Sequence, residues 1–179
     1  MISMATQREV KPTLKIVFGT VFAALVCVVT VLFVLPIPAT SGYFNLGESI
    51  IYIVALAFGP FVGAVAGGGA AIADLILGFY VFAPGTLIIK VLEGIIVGAL
   101  NKSLKQRITS TTLSATISII LGGGFMIIGY FIYEQVVLSY PVELAIAEVP
   151  FNIVQVIVGL AVALPVFHVL IRMFPQLKS

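Results

Sequence analysis

Charge is the scarcest thing in this sequence. Asp, Glu, Lys and Arg make up 9% of its 179 residues, against about 25% in an ordinary soluble domain. A chain so poor in charge cannot cover a water-facing surface, so most of its exterior must meet lipid. Trp is absent, Cys and His occur once each, and the net charge is only +2. One cysteine, Cys27, excludes a disulfide within the chain. One histidine, His168, has no Cys, His or paired carboxylate at metal-ligand spacing, which argues against a metal centre and for a helix residue near the membrane surface. The small net charge gives no footing for nucleic acid. There is no G-x-x-x-x-G-K-[ST] loop, and the Gly67–Gly69 and Gly122–Gly124 runs fail the dinucleotide fingerprint, so no nucleotide chemistry is expected. No nucleophile–base constellation stands out either, and the chain does not read as an enzyme.

What is abundant is apolar sequence, 61% of residues at a mean hydropathy of +1.25. Runs near the 20 residues needed to cross a bilayer predict helices at Leu14–Leu35, Pro84–Leu100, Leu113–Glu134 and Ala147–Met173. Arg8, Lys11 and Lys15 precede the first run, which is longer than a signal-peptide core and is read as a retained helix. The stretch Gly47–Gly78 would be about 48 Å long as one helix, too long for a core of about 30 Å. Phe58-Gly59-Pro60 breaks it, giving a short helix at 47–58 and another at 60–78.

Charge fixes the parity. Eight of the nine Lys and Arg residues fall in three groups: Arg8, Lys11 and Lys15; Lys102, Lys105 and Arg107; Arg172 and Lys178. Basic residues mark cytoplasmic loops. Six helices place all three groups on one side; five do not. The expectation is a single all-α membrane domain over residues 1–179, a six-helix bundle in the cell membrane with both termini cytoplasmic. Asn101-Lys102-Ser103 matches a glycosylation acceptor, but it falls on the cytoplasmic side.

Ionisable groups within spans are costly and mark functional sites by default. Asp74, Lys90 and Glu93 lie inside predicted helices, with Lys90 and Glu93 three apart on one face. Asn152 and Gln155 share a face on the last helix, with Glu148 one turn above Asn152. Asn45 and Glu48 open the second helix, and Tyr43 and Phe44 precede them. These residues map to the outer half and together describe a polar pocket open to the outside. The structural alternative is a buried ion pair of Lys90, Asp74 and Glu93 that only locks the bundle. The inner half reads as apolar. Glu134 and Glu143 read as solvated surface acids, and Tyr80 and Tyr133 as interfacial anchors.

Small residues recur as well. Gly59, Gly63, Gly67 and Ala71 form a G-x-x-x-G ladder, and Gly19 and Ala23 repeat the spacing on the first helix. Such stripes serve internal packing or the close approach of a partner membrane protein. Gly19, Ala23, Gly59, Gly63 and Gly67 are the candidates for partner contact.

The segments Pro38–Glu48, Phe58–Gly63, Ala73–Leu75, Ala83–Gly94 and Ala147–Asn152 with Gln155, taken in order, resemble the substrate-binding S component of energy-coupling factor vitamin transporters, in the riboflavin-transporter-like group. The resemblance covers nearly the whole chain. It implies a six-helix bundle that captures a vitamin or cofactor precursor from outside. It also implies a transmembrane coupling subunit and two cytoplasmic ATPases as partners, so ATP would be used by those partners. The family's contact with the coupling subunit is an Ala-x-x-x-Ala pattern on the first helix, matched here by Gly19-x-x-x-Ala23. The Pro36–Gly47 loop would be the lid. Both charge signs, amides and two aromatic rings suit a small planar heterocycle with polar edges: riboflavin, a pyridoxine or thiamine-pyrimidine precursor, or a queuosine precursor. Two other readings remain open at this point. One is a stand-alone channel or proton-coupled carrier using Asp74, Lys90 and Glu93 as a relay; the other is a membrane scaffold.

Overall fold

The computed structural model describes residues 12–37 and 42–174. Arg8, Lys11 and Lys178, and residues 38–41 of the expected lid, lie outside the described residues. Six helices follow one another: α1 (Pro12–Leu32), α2 (Gly47–Phe58), α3 (Pro60–Leu77), α4 (Ala83–Lys105), α5 (Thr111–Val136) and α6 (Val142–Met173). A two-residue ladder, β1 (Leu35–Pro36) with β2 (Tyr43–Phe44), pairs Leu35 with Phe44 and Pro36 with Tyr43 in antiparallel register between α1 and α2.

Five of the helices are long and apolar enough to cross a bilayer; α2, with 12 residues, is not. The apolar side chains they leave exposed, such as Val21, Leu32, Ile76, Ile88, Ile128 and Ile157, are what a lipid-facing surface requires. The bounds shift from expectation where local chemistry decides. α1 stops at Leu32 because Leu35 enters the ladder. α5 starts at Thr111, where the Ser110 hydroxyl accepts the Leu113 N–H at 3.3 Å. α6 begins at Val142 and carries Pro150 and Pro165 within it.

The α2–α3 break is the sharpest local feature. Gly59 alone separates the two helices and adopts φ 85°, a conformation open to glycine, while Pro60 sits at the first helical position of α3. The chain thus reverses with no loop. The small-residue ladder on α3 is consumed inside the bundle. A Cβ on Gly63 would press on Ala55 and the Gly94 carbonyl, and one on Gly67 would overlap the Lys90 carbonyl. On the neighbouring face Gly19 rests against Val65, and the Ala23 carbonyl fills the place a Cβ on Gly69 would take. Gly19, Gly63, Gly67 and the backbone of Ala23 therefore meet neighbouring helices within α1, α3 and α4, which is the internal-packing reading of these stripes; spacing shows that backbones approach closely but not against which helix.

One end of the bundle gathers the buried charged residues and the other does not. At the end where α4 gives way to α5, Asn101 donates to the Leu56 carbonyl at 3.2 Å, Ser114 donates to Asn101 Oδ1 at 3.0 Å, and Ser118 donates to the Ser114 carbonyl at 2.8 Å. This half is not purely apolar, as the sequence suggests, but carries a neutral, fully paired polar joint. His168 lies nearby, with Nδ1 2.7 Å from the Leu164 carbonyl and Nε2 2.9 Å from the Thr112 hydroxyl. It behaves as a hydrogen-bonded helix residue.

A recessed polar pocket above a buried ion network

The pocket follows from the shortness of α2. Glu48, its second residue, meets Lys90, the eighth residue of α4. At 1.5 Å per residue, α2 therefore starts about 10 Å below the first residue of α4. The missing turns leave a hollow between α3, α4, α5 and α6, and the β2 segment folds over it. Its walls are Gly42, Tyr43, Asn45, Asp74, Phe82, Thr86, Tyr130, Glu148, Asn152 and Gln155. The space open to the centres of water molecules is about 40 Å³, room for water and not for a ring. With its open mouth the pocket reaches about 390 Å³, within the range of small-molecule sites.

Tyr43 holds β2 in place. Its hydroxyl donates to Asp74 Oδ1, and its ring lies 4.7 Å from that of Phe79. Burial and the adjoining Asp74 carboxylate keep the Tyr43 phenol protonated, well above its ordinary value. The Thr86 hydroxyl adjoins Asp74 and accepts from the Tyr130 hydroxyl at 3.1 Å. Asp74 Oδ2 and Glu148 Oε1 are buried with no hydrogen-bond partner. Beneath the pocket Asn45 ties the start of α2 to α6: its backbone N–H donates to Gln155 Oε1 at 3.2 Å, and its Oδ1 accepts the Gly47 N–H at 2.9 Å.

Below this floor lies the ion network. Lys90 pairs with Glu48 and, at 3.1 Å, with Glu93. Gln155 donates to Glu48 Oε2 at 3.1 Å, and the Tyr52 hydroxyl donates to Glu93 Oε1 at 2.9 Å. The Lys90 ammonium also sits 5.6 Å from the centre of the Tyr130 ring, within cation–π reach. The expected Lys90–Asp74–Glu93 cluster is thus corrected: Glu48 takes the place of Asp74, which Tyr43 holds higher up.

The predicted residues fall into two groups. Tyr43, Asn45, Asp74, Glu148, Asn152 and Gln155 line the pocket; Glu48, Lys90 and Glu93 support it from below, and Phe44 is half-buried beside it. Gly59 stands at the α2–α3 turn, away from the site. Sequence reasoning missed Gly42, Phe82, Thr86 and Tyr130. Thr86 was within reach, since Thr86, Lys90 and Glu93 share one helical face. Glu134 is corrected outright. It is 1% exposed and its carboxyl group adjoins that of Glu148; Glu143 is exposed. Tyr133 donates to the Val81 carbonyl at 2.7 Å, and Tyr80 is 67% exposed.

Five apolar spans around a recessed polar pocket define a multi-pass membrane protein. The family is more particular. Residues 11–172 match the family model described as ECF-type riboflavin transporter, S component, and the chain belongs to that family. It is a non-enzymatic membrane subunit of vitamin uptake. It is also similar, at 41% identity over 138 residues, to an uncharacterized protein in the gap 3' region of Pyrococcus woesei, an alignment covering 76% of this chain and 88% of that one.

Proposed function

We propose that this chain is the substrate-capturing subunit of an energy-coupling factor importer, taking a planar, polar-edged vitamin from the outer side of the cell membrane. Riboflavin is the first candidate, on the description of the family. The observation that carries the reading is the hollow above α2, where polar groups from β2, α3, α4, α5 and α6 converge. Its orientation follows from charge. Lys15, Lys102, Lys105 and Arg107 lie at the opposite end, so that end is cytoplasmic and the pocket faces out. With α2 counted as a crossing, six helices return both termini to the cytoplasm.

The chain has no P-loop, so hydrolysis belongs to partners: a transmembrane coupling subunit and two cytoplasmic ATPases. α1 is the face for the coupling subunit. It leaves Thr20 and Ala24, four residues apart, exposed, and small residues at this spacing let another helix approach.

Titration of the purified protein with riboflavin, read by quenching of flavin fluorescence, tests the reading. Saturable binding near one per chain is expected, weakened by Asn152→Ala while the bundle stays folded. Absence of binding by riboflavin and by a panel of other vitamins would remove the proposal. Ala24→Leu is expected to leave binding intact and to reduce co-purification with the coupling subunit.

A further inference from the structure

The charge around the pocket restricts what can enter it, given the binding site proposed above. Lys90, the one buried Lys or Arg among the described residues, is already held by Glu48 and Glu93. No cation is among the pocket walls. Two carboxylates are: Asp74, 1% exposed, and Glu148, 5% exposed, each with a buried oxygen that has no hydrogen-bond partner among the described residues. Glu134 stands beside Glu148 and adds a third buried carboxyl group to this corner. An unpartnered buried acceptor is costly, and the groups that relieve it are hydrogen-bond donors. A negative charge brought beside these carboxylates meets like charge in a medium that screens poorly.

We infer that the ligand is neutral or cationic and presents at least two N–H or O–H donors, one to Asp74 Oδ2 and one to Glu148 Oε1, and that phosphorylated or carboxylated ligands are rejected. Asp74 and Glu148 are the residues that set this specificity. They approach the hollow from α3 and α6, so a ligand that reaches both spans it.

The experiment titrates the full-length protein with riboflavin as a neutral polyol, thiamine as a cation, and riboflavin 5'-phosphate and pantothenate as anions. It is repeated on an Asp74→Asn, Glu148→Gln double variant, with helical content as the control for folding. One of the first two probes is expected to bind at least about tenfold more tightly than either anion. The double variant is expected to close that gap. An anion that binds the natural protein as tightly as the best neutral or cationic probe overturns the inference, as does a gap that persists unchanged in the folded double variant. Binding of none of the four overturns the inference together with the reading of the pocket. Tight anion binding overturns the inference alone.

Discussion

The two ends of this bundle treat buried polarity in opposite ways. At the end of Asn101, every buried polar side chain is neutral and paired: the Asn101 amide, Ser114 and Ser118 close a short chain of hydrogen bonds from α2 to α4 and α5. At the pocket end stand Glu48, Asp74, Glu93, Glu134 and Glu148, with Lys90 as the ammonium among them. Among the described residues, the buried side-chain oxygens without a partner all belong to this end: those of Glu48, Ser49, Asp74, Glu134 and Glu148. A satisfied network rigidifies a protein, whereas an unsatisfied one stores a demand that something else must meet. The first end holds helices together through neutral pairs; the second keeps its charge buried around the pocket.

The contrast can be broken from several directions. Lys90→Ala leaves Glu48 and Glu93 buried without their cation and is expected to cost about 3–5 kcal/mol, seen as a large drop in thermal unfolding temperature in detergent. Restoring neutrality with Glu48→Gln and Glu93→Gln in the same chain should recover much of it. A smaller loss, about 1–3 kcal/mol, is expected for Asn101→Ala, which strands the Leu56 carbonyl; ligand affinity should not move, and a parallel loss of binding would show that the two ends are not separate. Asp74→Asn reverses the pattern: affinity falls by about tenfold or more, while unfolding temperature holds or rises because a buried charge is gone. The mildest change is Glu134→Gln. Glu134 stands beside a second buried acid, Glu148, so removing one of the two acids is expected to bring a slight gain in stability, measured in the same unfolding assay; a marked loss would mean that the Glu134 carboxyl makes a contact that the amide cannot replace.

Much of this was readable before any coordinates. Long apolar runs announce helices because a bilayer requires them, and Phe58-Gly59-Pro60 announces a reversal because proline and a left-handed glycine cannot continue a helix. Asp74, Glu148, Asn152 and Gln155 stand out because amides and acids are rare within spans. Tyr130 and Phe82 do not stand out, since aromatic rings are ordinary in such helices. The pairing of Lys90 with Glu48, 42 residues away, depends on how deep α2 begins, a depth set by its length and by the turn at Gly59 together. Glu134 misled because an acid at the end of a span looks solvated until the neighbouring helix is placed over it. The α3 ladder left two readings open, internal packing or a partner: spacing reports small surface, and only packing reports who covers it.

The brevity of α2 has a consequence for biogenesis. At about 18 Å it is far shorter than the hydrocarbon core, so the insertion machinery cannot retain it as a free-standing span. Gly59 joins it directly to the more extended α3, and the two must therefore be integrated as one hairpin. Glu48 travels into the membrane in that hairpin, whereas its counter-charge, Lys90, is synthesised later, on α4. A nascent chain that ends at Leu77 thus carries an uncompensated acid, and the arrival of α4 is what neutralises it.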